Sequence, residues 1–433
     1  MKSVQSSVAS NQLEGKRPLP EGWVWTTVGQ VTLPVEKVSP EQKPDVPFVY
    51  IDISSIDNSI QKIVEPKEYL GSEAPSRARQ LIRANDVVFA TVRTYLKNVA
   101  LVPEIYDKQI ASTGFSILRA SDAVQSKFLF YFTLTDEFLS PLNELQRGTS
   151  YPAVRDGDVR VQPFPLPPLP EQERIVARLE ELLSDLEAGV AALERVRRGV
   201  KRYKASVLKA ACEGKLFESR RAESSESGLP EGWRLLMFEE LLPNGLANGL
   251  YKPSETLTEE GTRMLDIKGL YKGFDVDFGN CRRFILTENE RRKYALHEGD
   301  VLVNRVSKAA EGVGKSALVR RVDELTVFES NMMLARLSDE CYPPYINYFL
   351  NSLSGRSQTL AKAKTTQQSS VNQDDIKSIV ITLPPLEEQR RIVAAVERRL
   401  ESARAVESAV EAGLKRAARL RQAVLRSAFK GRL

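Results

Sequence analysis

The strongest constraint on the fold is an internal repeat with a period near 217 residues in a chain of 433. The string LPEGW at residues 19–23 recurs unchanged at 229–233, an offset of 210 residues. The string LPPLPEQERIV at 166–176 recurs as LPPLEEQRRIV at 383–393, an offset of 217. Because a repeat of this size determines the architecture before any local pattern does, we expect one unit built twice, a globular domain followed by a long helix.

Behind each globular part, the offset between the copies stays constant. VLKAACEGKL at 207–216 pairs with VLRSAFKGRL at 424–433, again 217 residues apart. Between the helix-start string and this end string, apolar residues of both copies recur in steps of three and four, which is typical of one apolar stripe on a helix. Each helix is predicted to span about 46 residues, or roughly 69 Å at 1.5 Å per residue. All length differences between the copies therefore lie in the globular parts, which indicates that the helix length matters.

Charge predicts how the two helices pair. Residues 173–194 carry six acidic side chains against two arginines, whereas 195–212 carry seven basic residues and no acid. The second helix ends in the same way, with seven basic residues and no acid over 412–433. An antiparallel pair places this basic end beside the acidic start of the first helix. We predict an antiparallel coiled coil; the alternative is that the basic ends are solvated surface or contact DNA phosphates.

The globular parts read as mixed α+β domains. Strand-like runs such as DVVFATV and DVLVNRV alternate with turn residues, and each domain closes with one helix, near 127–145 and 344–363. The expected fold class is α+β, with two mixed α/β domains separated by two long helices. The expected boundaries are a disordered extension at 1–18, a first domain at 19–165, a spacer region at 166–217, a polar linker at 218–228, a second domain at 229–382 and a second spacer region at 383–433.

Composition excludes several classes of function. Three widely spaced cysteines and one histidine suggest neither a disulfide framework nor a metal site. The sequence has no apolar run of transmembrane length, and its first residues lack the apolar centre of a signal peptide, so we expect a cytoplasmic protein without a membrane partner. A net charge of +5 permits nucleic-acid binding without requiring it.

The loops that differ most between the copies keep cations and amides. Arginine suits guanine, glutamine suits adenine, and both can also hydrogen-bond phosphates. The candidate DNA-binding residues of the first domain are Arg77, Arg79, Arg93, Lys97, Arg147, Thr149, Tyr151 and Arg155. Those of the second domain are Arg282, Arg283, Arg305, Lys308, Lys315, Lys364, Gln367 and Gln368.

Two strings resemble catalytic motifs and are rejected. GVGKS at 312–316 lacks the glycine that a phosphate-binding loop needs at Ala309, and the residues after it read as a strand rather than a helix. The Tyr-Pro-Pro-Tyr run at 342–345 lacks the Asn, Asp or Ser that begins an amino-methyltransferase site, and proline suits the first turn of a helix. We therefore expect no catalytic residue, no metal site and no bound cofactor in this chain.

The LPEGW strings, the two LPPL-type helix starts and the VLKAACEGKL-type helix ends together resemble the specificity subunit of type I restriction-modification systems. The resemblance implies two target recognition domains that read double-stranded DNA, separated by the paired helices of two conserved regions. It also implies partners: methylation subunits, two of them expected, that use S-adenosylmethionine to methylate adenine N6, and restriction subunits that use ATP and Mg²⁺.

Two unlike recognition domains on a rigid spacer predict a bipartite DNA target, whose half-sites are separated by a gap of bases that are not read. If both domains lie on one face of the DNA, the half-sites are expected about one turn of the duplex, roughly 34 to 36 Å, apart. Two alternatives remain at this point. One is a reader fused to, or acting as, a stand-alone DNA methyltransferase. The other is a coiled-coil scaffold whose domains bind protein.

Overall fold

The computed structural model describes residues 17–148, 150–217, 229–365 and 368–433. The predicted polar linker and residues 1–16 of the predicted extension lie outside this part of the chain. The chain divides into two compact units. Unit 1 consists of residues 1–193 with 412–433, and unit 2 of residues 194–411. Of the helices that the structure describes, none has the apolar length that crossing a bilayer requires.

The secondary structure of unit 1 begins soon after LPEGW. Its strands are β1 (Val24–Thr27), β2 (Thr32–Leu33), β3 (Pro47–Ile51), β4 (Ile56–Asp57), β5 (Lys62–Ile63), β6 (Lys67–Leu70), β7 (Ala78–Leu81), β8 (Val87–Ala90), β9 (Val99–Leu101), β10 (Ile110–Ser112), β11 (Phe115–Ala120) and β12 (Pro163–Leu166). Its helices are α1 (Ser126–Thr133), α2 (Asp136–Glu144), α3 (Asp156–Arg160) and the start of α4 (Leu169–Cys212).

Unit 2 follows a similar order, with an additional helix before the strand that corresponds to β8. Its strands are β13 (Arg234–Met237), β14 (Leu246–Asn248), β15 (Leu257–Thr258), β16 (Thr262–Leu265), β17 (Cys281–Phe284), β18 (Val301–Asn304), β19 (Val306–Ser307), β20 (Ser316–Leu318), β21 (Thr326–Phe328), β22 (Met332–Ala335), β23 (Lys364–Thr365), β24 (Ser369–Ser370) and β25 (Val380–Leu383). Its helices are α5 (Glu288–Tyr294), α6 (Pro343–Asn351), α7 (Leu353–Lys362), α8 (Gln373–Lys377) and the start of α9 (Leu386–Ala428).

The antiparallel sheet has the same topology in both units, whereas the parallel pair of the mixed sheet lies inside the sheet in unit 1 and at its edge in unit 2. An antiparallel sheet runs β2-β11-β8-β9 in unit 1 and β14-β22-β18-β20 in unit 2. A mixed sheet runs β6-β3-β10-β7 in unit 1 and β15-β17-β16-β21 in unit 2, with one parallel pair in each, β3 with β10 and β16 with β21. β8 and β18 are buried along their whole length because both faces of each strand are covered: Val87 and Phe89 belong to one core cluster, and Val88 and Ala90 to another. This explains their nearly continuous apolar sequence.

A short antiparallel pair closes each domain. β1 pairs with β12, and β13 pairs with β25, so the segment after each LPEGW lies beside the segment that leads into a long helix. This pairing connects the beginning of each domain with its end.

The single helix predicted near the end of each domain is wrong, because the structure has two helices there. Thr135 follows α1 and caps α2, its hydroxyl accepting from the Phe138 backbone N–H. Ser352 does the same between α6 and α7, accepting from Gly355. A hydroxyl that satisfies the first free N–H groups of a helix stabilises a new helix start. Both breaks occur at corresponding positions of the repeat.

The long helices pair antiparallel within each unit. In unit 1, Arg421 of α9 lies 3.4 Å from Glu187 of α4, and Gly413 faces Leu193. In unit 2, Lys204 of α4 pairs with Glu407 of α9. Residue numbers rise along one helix as they fall along the other, so the predicted antiparallel coiled coil and α+β fold class are confirmed. The helices contain 44 and 43 residues, and 44 residues span roughly 66 Å.

The start of each long helix is held by a buried glutamine. Gln172 Nε2 donates to the carbonyl oxygens of Ala123 and Pro167 at 3.0 and 2.9 Å, and Gln172 Oε1 accepts from the Gln125 N–H at 2.8 Å. Its counterpart Gln389 makes the same three bonds 217 residues later. Those bonds join it to Glu340, Pro384 and Tyr342. The glutamine that the two helix-start motifs share is therefore a structural joint between helix and domain.

The end of each long helix contacts the LPEGW segment of the same unit. Gly431, at φ +65°, faces Pro20 and Trp23, and Gly214, at φ +69°, faces Pro230 and Trp233. A Cβ at either glycine would come within 2.4 Å of the proline ring. Each domain thus contacts the start of one long helix and the end of the other. In unit 1, Phe429 near the end of the second long helix also packs into the core against Phe128 and Phe132.

Candidate nucleic-acid interface

In unit 1 the structure brings two of the predicted loops together. The β8–β9 loop lies beside the segment 146–155 through an antiparallel bridge between Val92 and Ala153, and Ala153 bridges in turn to Arg147. The Val154 N–H donates to the Thr91 carbonyl at 2.9 Å, and the Arg93 N–H donates to the Pro152 carbonyl at 2.7 Å. One surface, which we name loop surface 1, therefore contains both segments, although they are about fifty residues apart in sequence.

Arg93 lies at the centre of loop surface 1. Its backbone is left-handed, at φ +50°, a conformation that costs a residue other than glycine about 1 kcal/mol or more. Its guanidinium lies over the Tyr151 ring at 4.8 Å, and Nη2 donates to the Ser150 carbonyl at 3.0 Å. Tyr151 itself is 71% exposed. The sequence placed both residues among the candidates but could not show that they stack.

The remaining candidates of loop surface 1 have fewer contacts. The Lys97 ammonium lies 3.5 Å from Asp136, and Lys97 is also left-handed, at φ +55°. Arg147 and Arg155 have exposed side chains. Arg77 is exposed immediately before β7, where its carbonyl accepts from the Thr113 N–H. The next residue, Gly114, accepts from Thr91, so Arg77 is linked to the same edge of the domain.

Arg79 is held by an internal partner instead. Its two terminal nitrogens donate to the two carboxylate oxygens of Glu41 at 2.9 and 2.5 Å. This hydrogen bond lowers the pKa of the Glu41 carboxyl. A guanidinium bound by a bidentate carboxylate has to break that pair before it can bind a phosphate or a base.

Unit 2 builds the same surface with different side chains. Val306 pairs with Ser370 and Lys364 pairs with Ser370, which corresponds residue for residue to the bridges of loop surface 1. The Val371 N–H donates to the Arg305 carbonyl at 3.0 Å, as Val154 does to Thr91. We name this loop surface 2. The backbone frame is thus common to both copies, whereas the residues it presents differ.

Loop surface 2 encloses a groove of about 680 Å³. Three predicted residues line it, namely Lys308, Lys315 and Gln368. Lys268 and Tyr271 also line it, on a segment that the sequence analysis did not single out. The groove therefore gathers three lysines, an aromatic ring and two amides, the groups that bind phosphates and base edges, together with one carboxylate, that of Glu311.

Tyr271 organises the groove. Its hydroxyl accepts from Asn304 Nδ2 at 2.8 Å, and the Lys315 ammonium lies 5.4 Å from the centre of its ring. Burial lowers the pKa of Lys315, and the nearby Arg356 lowers it further. The signal for Tyr271 in the sequence is weak, because its segment precedes the loop by more than thirty residues and has no repeated motif.

Two predicted arginines of unit 2 have carboxylate partners, as Arg79 has. Arg282 Nη2 lies 2.9 Å from Glu329 and 3.2 Å from Asp266. Arg283 donates to both oxygens of Glu324 at 2.7 and 3.0 Å. Burial raises the pKa of the Glu329 carboxyl, although Arg282 acts in the opposite direction. Neither arginine lines the groove of loop surface 2.

The other predicted residues are placed as follows. Arg305 is half-buried at the end of β18, and Lys364 is exposed on β23. Thr149 and Gln367 lie outside the described residues.

Both rejected motifs occupy the elements predicted for them. The residues after the GVGKS glycines form β20, which pairs antiparallel with β18, so this loop leads into a strand. Tyr342 is the N-cap of α6, and a proline occupies the first position of that helix. Neither segment has the strand-to-helix geometry of a phosphate-binding loop or the free loop of a methyltransferase site.

The chain matches a known protein family in each copy of its repeat. The family described as "Type I restriction modification DNA specificity domain" matches residues 28–195 and 249–414, once in each copy of the repeat. The EcoKI specificity subunit of a type I restriction enzyme from Escherichia coli K12 is 29% identical, over 96% of this chain and 90% of the relative. The StySPI specificity subunit from Salmonella potsdam is 27% identical with the same coverage.

Two solved structures resemble the whole chain. The HsdS subunit from Thermoanaerobacter tengcongensis is 34% identical, with a TM-score of 0.56, and the match covers 97% of this chain and all of that one. A chain from a structural study of complex assembly and conformational transition of the type I R-M system is also 34% identical, with a TM-score of 0.77 over 96% of this chain and all of that one.

Proposed function

Since the chain belongs to the family of type I restriction-modification DNA specificity proteins, we propose that it reads a bipartite DNA target, one half-site with each of its two loop surfaces. The observation that carries the proposal is the shared frame of the two surfaces. Both place a β-strand loop against the segment before the spacer helix, at corresponding positions of the repeat. A common frame with different side chains is what two readers of unlike half-sites require.

The candidate residues of the two domains divide into three kinds. Arg79, Arg282 and Arg283 are paired with carboxylates inside the chain, so we assign them to holding the domain in shape. The exposed Arg147, Arg155 and Lys364 are suited to phosphates, which fix register without specifying sequence. Arg93, Tyr151, Lys315 and Gln368 lie where side chains of both segments converge, and we assign base reading to them.

The chain contributes recognition, and its proposed partners contribute the chemistry. We propose that it binds methylation subunits, two per chain, which use S-adenosylmethionine, and restriction subunits, which use ATP and Mg²⁺. Adenine methylation inside a duplex requires the base to leave the stack, and that step belongs to the methylation subunits. We further propose that the assembly works in the cytoplasm, where chromosomal and incoming DNA are both accessible.

We propose that the paired helices set the length of the unread gap. α4 and α9 have nearly equal lengths of 44 and 43 residues. A gap set by helix length should respond to a matched change in both helices and not to changes in the loop surfaces.

The first experiment exchanges one domain. Residues 19–165 are replaced by the corresponding domain of a relative with a different target, and methylated adenines are mapped in cells that also express the partner genes. One half of the methylated motif should change while the other half and the gap stay constant. A change in both halves would contradict the assignment of one half-site to each domain.

The second experiment tests the spacer. Four residues are inserted into α4 after Leu193 and four into α9 after Gly413, which face each other in the coiled coil. Four residues add about 6 Å, so the gap should grow by one or two base pairs, with unchanged half-sites. The control carries the insertion in α4 alone, which places the two apolar stripes out of register and should abolish methylation. An unchanged gap in the double insertion would refute the proposal.

The third experiment separates a reader from an enzyme. The purified chain is incubated with S-adenosylmethionine and DNA, without partners. We expect no methyl transfer, and transfer by the chain alone would show that it is itself a methyltransferase.

A further inference from the structure

We propose that Arg93, stacked on Tyr151, specifies a guanine in the half-site read by the first domain. The inference deepens the proposed function and rests on it, because it names the base that one residue pair reads. Arg93 combines three features that no other described candidate of loop surface 1 has together: a left-handed backbone, a stacked guanidinium and a buried nitrogen without a hydrogen-bond partner among the described residues.

The backbone of Arg93 is held from the opposite segment. Its N–H donates to the Pro152 carbonyl at 2.7 Å, and a short turn at 94–96 follows at once. Lys97, at the other end of this turn, is also left-handed. Strained residues persist only where the surrounding structure determines their conformation, and they are concentrated at functional sites. The loop therefore fixes the origin of the Arg93 side chain instead of leaving it mobile.

The guanidinium is also fixed in orientation. One face lies over the Tyr151 ring at 4.8 Å, and one hydrogen of Nη2 is used by the Ser150 carbonyl at 3.0 Å. Nε is buried and has no partner among the described residues. The other N–H groups of Nη1 and Nη2 make no hydrogen bond to a described residue, so they are the fork that remains available to a ligand. Such a fork matches the O6 and N7 acceptors of guanine, and pre-ordering reduces the entropy lost on binding.

The second copy offers a comparison inside the same molecule. The bridge Val92 to Ala153 corresponds to the pair Val306 and Ser370. The residue after the bridged valine is Arg93 in the first copy and Ser307 in the second. The residue two positions before Ala153 is Tyr151, and the residue two positions before Ser370 is Gln368. The arginine-aromatic stack is therefore a property of loop surface 1, and the guanine it reads belongs to only one half-site.

The test selects bound duplexes from a randomised library with the full chain. Wild type should enrich a bipartite motif with a guanine in one half. Arg93→Gly removes the side chain and relieves the left-handed backbone at the same time, so its folding is not penalised. In this variant the guanine position should become degenerate, losing a preference of about 5- to 150-fold, while all other positions keep theirs.

Tyr151 provides a second, independent variant. Tyr151→Ala removes the stacking surface and should weaken the guanine preference several-fold, whereas Tyr151→Phe keeps the ring and should retain it. The matched control is Arg83→Ala. Arg83 is a half-exposed arginine paired with Glu36 at 2.6 Å, and it precedes β8 while Arg93 follows it. This variant should leave the motif unchanged.

Three results would overturn the inference. The guanine could persist in the glycine variant, the wild-type motif could contain no guanine in either half, or binding could weaken equally for all sequences, as loss of a phosphate contact would cause. Failure of the proposed function looks different, because wild type would then enrich no sequence at all, and both proposals would be refuted.

Discussion

Replacing the buried glutamine at the start of a long helix should loosen one unit and leave the other intact. Gln172 is completely buried, and its side chain satisfies two carbonyl oxygens and one backbone N–H. Leucine has a similar size but no polar atom, so Gln172→Leu leaves these three groups without a partner inside the protein. At about 1 kcal/mol for each lost hydrogen bond, we expect a cost of about 3 kcal/mol.

Hydrogen exchange followed by mass spectrometry measures this cost locally. In the full chain, a loss of 3 kcal/mol increases the exchange rate about 150-fold for those amides that exchange only when this joint opens. The increase should occur in peptides that cover residues 120–130. Gln389→Leu should produce the same increase in peptides that cover 338–345, because Gln389 makes the equivalent bonds there.

The exposed Gln42→Leu is the matched control and should change the stability by less than about 0.5 kcal/mol. The reasoning is refuted if Gln172→Leu costs no more than this control. It is also refuted if either substitution in a helix start raises exchange equally in both units, since the joint would then not be local.

Three further outcomes follow from the described contacts. Asp86→Ala should cost about 3 to 5 kcal/mol in urea unfolding, because it leaves the Arg119 guanidinium without its carboxylate at a site where the two side chains are only 2% and 12% exposed. Gly431→Ala should lower the melting temperature, since its left-handed backbone and the nearby proline exclude a Cβ; Gly189→Ala, with open space around it, should instead stabilise α4 by about 1 kcal/mol. Burial raises the pKa of the Cys212 thiol to about 12, so mass spectrometry should detect iodoacetamide modification at pH 8 only after unfolding.

The long helices were predictable because their evidence is periodic and repeated. An apolar stripe in two copies fixes the helix, and the opposite charges at its ends fix the direction of pairing. The breaks at Thr135 and Ser352 were missed for a local reason. Apolar residues continue on both sides of each break, and a hydroxyl cap is inconspicuous in such a run.

The loop surfaces were only partly predictable. Sequence divergence singled out the loops that contain Arg93 and Lys315, and the structure places each of these loops in a loop surface. Divergence could not show that Arg79 is held by Glu41, a partner 38 positions away in the chain. It also could not place Tyr271 in the groove, since its distance from Lys315 depends on how the sheet brings the two segments together.

The constant offset of the helices now has a structural cause. Each long helix is attached at its start by a buried glutamine and at its end by a glycine packed against an LPEGW proline. A residue added to one helix alone would displace one of these attachments or slide the helix along its partner. A slip by one residue rotates an apolar stripe by about 100° and exposes it to water. The two helices can therefore change length only together, whereas the side chains on the common backbone frame of the loop surfaces are free of this length constraint and are able to diverge.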